Sequence, residues 1–143
     1  MADGALDGLG WIARAVGLFY VLGGLFALRA ARTELFLDDA IARITLSKPV
    51  PDAADRLRVA TMVAIATLTV VSGALLVLLL KAALYAMLAN AVLQGAYLAW
   101  ARSALPPTDG ASALGRRRTS NAFVVWLVMT ALATLLFERG VLT

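Results

Sequence analysis

The feature that most constrains this chain is the run of 43 residues from Val59 to Ala101, which holds a single charged residue, Lys81. As one helix, with a rise of about 1.5 Å per residue, the run would be about 64 Å long. The hydrocarbon core of a bilayer is only about 30 Å thick, and about 20 apolar residues cross it. We therefore interpret the run as two membrane spans that fold back on each other at Lys81.

The composition of the whole chain agrees with a membrane protein. Of the 143 residues, 62% are hydrophobic and 15% are charged. Soluble domains have about 45–50% apolar and about 25% charged residues. A soluble four-helix bundle would also show a polar face on every helix, whereas the segments of this chain are apolar all round. The sequence therefore predicts an all-α membrane protein.

Two further apolar segments complete a set of four predicted transmembrane helices. The predicted spans, in a single integral-membrane domain covering residues 1–143, are 11–29, 59–79, 82–101 and 121–137. The turn at Lys81 is very short, so the second and third spans must be antiparallel neighbours. We expect the four spans to form an up-down bundle.

The segment between the first and second spans carries its own helical pattern. Leu37, Ala40, Ile41 and Ile44 recur at helical spacing, and charged residues occupy the other side. This pattern is typical of an amphipathic helix that lies on a membrane surface or against the bundle. We predict a short, separate amphipathic helix here, on the cytoplasmic side.

The distribution of lysine and arginine predicts the orientation. Ten of the thirteen basic residues lie in the two large loops, 29–58 and 102–120, and only Arg14, Lys81 and Arg139 belong to the other side. Cytoplasmic loops carry the excess of basic residues. With an even number of spans, both loops are then cytoplasmic and both termini are outside. Together with the alanine-, leucine- and arginine-rich composition, this predicts a multi-pass protein of a bacterial inner membrane.

Three polar residues fall on one face of the third span. Asn90, Gln94 and Tyr97 are spaced by four and three residues. A polar amide near the bilayer midplane is costly if it faces lipid. The face therefore lines a site for a substrate, an ion or a quinone, or it makes hydrogen bonds between helices, which are common in membrane bundles.

Small residues mark one face of the first span. Ala13, Gly17, Gly24 and Ala27 lie on this face, and small residues at such spacing allow a neighbouring helix to approach closely. We predict that they pack against another helix.

The basic residues at the ends of the spans allow two interpretations each. Arg14 either meets lipid phosphate or Glu138 by snorkelling, or pairs with an anionic ligand. Arg116, Arg117 and Arg118 either bind acidic lipid head groups or simply fix the topology.

The residue types that the chain lacks exclude several kinds of metal-binding and proton-transfer site. The chain contains no cysteine and no histidine, and none of the four predicted spans contains aspartate or glutamate. Thiolate and histidine metal sites are thereby excluded, and so are the buried carboxylates on which proton-coupled transporters commonly depend. We expect no enzymatic activity, no metal, no cofactor and no nucleic-acid partner.

The sequence thus favours a non-catalytic accessory or assembly subunit that acts through helix–helix contacts. Its partners would be the lipid bilayer and either another membrane protein or further copies of the chain. The alternative is a small oligomeric transporter or pore, with the polar face of the third span lining the path.

Overall fold

The structure is a computed structural model that describes residues 2–45, 53–104 and 110–142, and this part of the chain contains no strand. Its four helices are α1 (Ala2–Thr45), α2 (Ala53–Val77), α3 (Ala82–Ala104) and α4 (Gly110–Glu138). All four are long and apolar enough to cross a membrane; the candidate spans are Gly8–Thr33, Arg56–Val77, Ala82–Ala104 and Ala113–Glu138. Helices suit this environment because they satisfy their own backbone hydrogen bonds where no water is present. The chain therefore has the architecture expected of a multi-pass membrane protein.

Two helices end in the same hydrogen-bonded motif. After α2, the amide of Leu80 donates to the carbonyl of Leu75, and the amide of Leu79 donates to that of Leu76, each at 3.0 Å. This is the Schellman pattern, which needs a left-handed residue just past the helix. Leu79 takes that conformation with φ of 56°. Gly140 does the same after α4, with φ of 71°.

Helices α1 and α2 approach each other closely at three glycines. A Cβ atom added to Gly17 would lie 2.7 Å from the carbonyl oxygen of Gly73. One added to Gly73 would lie 2.6 Å from that of Gly17, and one added to Gly24 would lie 3.0 Å from that of Ala66. Since backbone atoms occupy this space, no larger side chain fits without separating the two helices.

Helices α1 and α2 run in opposite directions. From Gly17 to Gly24 the contacts on α2 move back from Gly73 to Ala66. The turn at Lys81 reverses the chain into α3, and Trp126 of α4 then donates a hydrogen bond to the carbonyl of Met87 on α3. By contrast, α1 meets α4 at few positions.

The apolar core lies in one half of the molecule, the half that contains the turn between α2 and α3. The largest side chains of this core belong to all four helices and to the segment after α4: Tyr20, Leu76, Leu84, Met87, Trp126, Leu136 and Leu142. In the other half, the buried apolar residues are small, such as Ala66 and Ala101. The helices are therefore packed tightly at the turn end and more loosely at the opposite end.

The structure differs from the sequence prediction in the segment after the first span. We expected a separate amphipathic helix, whereas α1 continues without a break to Thr45. The physical reason is that no glycine or proline occurs between Gly24 and Pro49, so nothing in the sequence interrupts the helix. The side chains of Asp38, Asp39 and residues 41–45 lie outside the part of the chain that the structure describes.

The close approach of α1 and α2 makes a testable prediction about Gly17. We expect Gly17→Ala to lower the free energy of unfolding by about 1–3 kcal/mol, the usual cost of overpacking, because the added methyl group would meet the backbone of α2. The measurement is unfolding of the purified protein in mixed detergent micelles, followed by circular dichroism.

Gly23 provides the matched control for this measurement. It lies on the same helix, but a Cβ atom added there meets nothing within 4 Å. Gly23→Ala should therefore leave stability unchanged or raise it slightly, since alanine has the higher helix propensity. Equal stability of the two variants would contradict the close approach.

Candidate functional site

Beyond its contact with α2, α1 presents a wall of small residues. Gly23, Gly24, Ala27, Ala30 and Ala31 recur at spacings that keep them near one face of the helix. Gly24 lies against α2, whereas the space beside Gly23 is open. This wall leaves room that larger side chains would have filled.

The space beside these small residues is a cleft with a cavity volume of about 360 Å³. All four helices line it, with the following residues besides the α1 wall: Met62, Ile65, Ala66, Thr69, Gln94, Tyr97, Leu98 and Thr119. Its walls are mainly apolar, and its volume lies at the lower end of the range of about 300–1,000 Å³ that is usual for small-molecule sites. The cleft occupies the loosely packed half of the molecule.

Three polar side chains, those of Thr69 on α2 and of Gln94 and Tyr97 on α3, line the cleft. The hydroxyl of Thr69 donates to the carbonyl of Ile65 at 2.8 Å and accepts from the amide nitrogen of Asn90 at 3.0 Å. The side chains of Gln94 and Tyr97 have no hydrogen-bond partner among the described residues. An amide and a phenol together offer donors and acceptors to a molecule in the cleft.

Asn90, the third residue of the predicted polar face, lies elsewhere. It is fully buried and is not among the residues that line the cleft. Its Nδ2 atom donates to Thr69, and its Oδ1 atom has no partner in the described part of the chain. The structure therefore divides the three residues: Asn90 links α3 to α2, and Gln94 and Tyr97 line the cleft.

The four small residues of the predicted α1 face are divided in the same way. Ala13 is 1% exposed and belongs to the core. Gly17 and Gly24 lie against α2, and Ala27 lines the cleft. The neighbour of this face is thus a helix of the same chain.

The basic residues predicted at the ends of the spans have different surroundings. The Arg14 guanidinium lies 5.4 Å from the centre of the Trp11 ring, within the range of a cation–π interaction. Arg116 donates to the carbonyl of Ala101 at 3.2 Å and so caps the last turn of α3. Arg117 and Arg118 are exposed.

A pair of aromatic residues, which is not among the residues predicted from the sequence, joins three helices. The rings of Tyr20 and Trp126 meet edge to face with their centres 4.6 Å apart. The indole nitrogen of Trp126 donates to the carbonyl of Met87 at 3.1 Å. A tryptophan in the middle of a span was the available signal, because a buried indole N–H needs an acceptor.

No protein family, curated protein or solved structure matches this chain.

The bond between Asn90 and Thr69 makes the second prediction. We expect Thr69→Val to lower the free energy of unfolding by about 0.6 kcal/mol, and by no more than about 1.7, because the amide of Asn90 loses its acceptor in the membrane interior. In a double-mutant cycle with Asn90→Leu, the coupling should have the same size, as measured by unfolding in mixed micelles.

Thr67→Val is the control, since Thr67 also donates to its own helix at 2.8 Å but is exposed. We expect this variant to be as stable as the unchanged protein. A coupling of zero between Asn90 and Thr69 would show that the hydrogen bond contributes nothing.

Proposed function

We propose that this protein is a non-catalytic, multi-pass protein of a bacterial inner membrane that binds a small, mainly apolar molecule between its helices. The observation that carries the proposal is the cleft of about 360 Å³ to which all four helices contribute. An apolar cavity with a few convergent polar groups is the usual form of a ligand site. Gln94 and Tyr97 supply those groups.

The chemistry of the lining supports binding rather than catalysis. The polar groups at the cleft are an amide, a phenol and the hydroxyls of Thr69 and Thr119. Such groups orient a ligand by hydrogen bonds, whereas activation of a nucleophile requires an adjacent base or a lowered pKa. We therefore assign these residues to recognition.

We further propose an up-down bundle with both termini outside the cell. The excess of arginine at the end of the molecule opposite the α2–α3 turn supports this orientation. The loosely packed half with its cleft then faces the cytoplasm, and the packed core lies in the outer half. The extension of α1 beyond Thr33 would lie at the cytoplasmic surface.

A protein that not only binds the small molecule but also carries it across the membrane is a more specific form of this proposal. A transporter would have to open its outer half as well, and that half is held by the contact of Gly17 with Gly73 and by the Trp126–Met87 hydrogen bond. A pore would need several copies, because four helices enclose little space. We therefore propose that the protein binds the small molecule. Transport of that molecule would require the core to rearrange.

A second candidate function is the accessory or assembly subunit. The glycine face that first suggested it is covered by α2 of the same chain. The opposite face of α1 now supports it, because Trp11, Phe19 and Phe26 are 68–70% exposed. A partner helix, a second copy of the chain or lipid would each cover this face, so it specifies no partner.

The proposed orientation can be tested by labelling single cysteines introduced on either side of the membrane. The chain has no cysteine, so a single cysteine introduced at Lys81 or Gly115 is the only thiol. We expect Lys81→Cys to react with a membrane-impermeant maleimide in intact cells. Gly115→Cys should react only after the membrane is permeabilised. The reverse result would invert the orientation.

The cleft makes a prediction about Gly23. We expect a leucine at this position to fill the cleft without disturbing α2, because the space beside Gly23 is open. Native mass spectrometry of the protein extracted in mild detergent should show a small molecule retained by the unchanged chain and lost from Gly23→Leu.

Gly8→Leu is the matched control for this experiment. Gly8 also lies on α1 with nothing within 4 Å, but at the far end from the cleft. The Gly8→Leu variant should retain the same small molecule as the unchanged chain. If Gly23→Leu and the unchanged chain carry identical adducts, the cleft is not the binding site.

A further inference from the structure

On each of the four helices, an arginine lies within one turn of the cleft lining, at the same end of the molecule. Arg32 follows Ala31 on α1, Arg102 follows Leu98 on α3, and Arg118 precedes Thr119 on α4. On α2, Arg58 precedes Met62 by four residues. Each helix therefore carries an arginine close, along the chain, to the end of the cleft that we call its mouth.

The two loops at this end, residues 29–58 and 102–120, carry a net positive charge. They contain ten of the thirteen lysines and arginines of the chain. They also contain six carboxylates, Glu34, Asp38, Asp39, Asp52, Asp55 and Asp109, so an excess of four positive charges remains. Basic clusters next to a cavity between transmembrane helices are the kind of site that binds phosphorylated lipid head groups.

The polar groups of the cleft lie deeper than the arginines. Along α3, Tyr97 is five residues and Gln94 eight residues before Arg102, which places them about 7.5 Å and about 12 Å further into the membrane. The walls beside them are the small residues of α1 and the apolar residues of α2. From the mouth inwards, the site thus offers cations, then hydrogen-bond donors, with an apolar wall alongside.

We infer that the ligand of the cleft is an anionic phospholipid from the cytoplasmic leaflet, an inference that rests on the function proposed above. Its phosphate lies among the arginines at the mouth. Its ester carbonyls, which follow the phosphate in the molecule, accept hydrogen bonds from the hydroxyl of Tyr97 and the amide of Gln94. One acyl chain lies along Gly23 and Ala27.

Charge complementarity favours this occupant over the others. A neutral apolar molecule would use the cleft but leave the arginines without a role in binding. Free phosphate would use the arginines but not the apolar walls, and arginine binds it as readily on an open surface. Only a molecule that carries both an anionic group and an apolar chain uses the mouth and the cleft together.

The test titrates the full-length, delipidated protein in detergent with phosphatidylglycerol and, separately, with phosphatidylcholine of the same acyl chains, by native mass spectrometry. We expect phosphatidylglycerol to bind at least tenfold more tightly. The double variant Arg117→Gln/Arg118→Gln should lose about thirtyfold in affinity for phosphatidylglycerol. Both arginines are exposed, so the variant should fold normally.

Two control variants separate the mouth from the cleft. Arg14→Gln/Arg139→Gln removes two arginines from the opposite end and should leave the affinity for phosphatidylglycerol unchanged. Gly23→Leu should abolish saturable binding, and Gly8→Leu should not. Inorganic phosphate in excess should fail to displace the lipid.

The outcomes distinguish the two proposals. If both lipids bind equally, the arginine variants have no effect and Gly23→Leu still abolishes binding, the lipid assignment is wrong and the cleft remains a ligand site. If binding does not depend on Gly23 at all, both proposals are wrong. If inorganic phosphate displaces the lipid, the phosphate alone is recognised, which also overturns the assignment.

Discussion

The close contact of α1 with α2 at Gly17, Gly24 and Gly73 is the interaction on which the rest of the molecule depends. It exists because three positions lack side chains, which allows two backbones to meet. The same face of α1 continues as alanine beyond Gly24, where α2 no longer fills the space. Small residues therefore give a tight interface in one half of the molecule and an open cleft in the other. The small residues on this face of α1 therefore account for both the helix packing and the candidate site.

The sequence predicts the four apolar helices because bilayer thickness and helix rise leave few alternatives. It does not predict which helix covers the glycine face of α1, since small residues permit a close neighbour without specifying it. Gly73 in α2 was an available signal, because a close approach needs small residues on both helices. The continuity of α1 beyond the first span was missed because charged residues change the polarity of a helix but do not terminate it; the first proline or glycine after Gly24 is Pro49.

The polar face of α3 shows what helical periodicity predicts and what it does not. Spacings of four and three residues predict that Asn90, Gln94 and Tyr97 share a face. Periodicity gives direction around the helix axis but no information on how far away the next helix is at each depth. At Asn90 the neighbouring α2 is close enough to accept a hydrogen bond. One turn further along, the helices have separated, so Gln94 and Tyr97 line the cleft.

The asymmetric packing also bears on how a ligand would reach the site. The half that contains the α2–α3 turn is closed by a core in which Tyr20, Trp126 and Met87 link three helices through a ring contact and a hydrogen bond. Opening it would separate the backbones of α1 and α2 and leave the Trp126 indole N–H without an acceptor, which is costly in a medium without water. The half that contains the cleft needs no such change, because the cleft is already open there. A ligand that enters at the cleft end therefore meets an existing cleft, whereas passage to the other end requires breaking the contacts that hold the fold together.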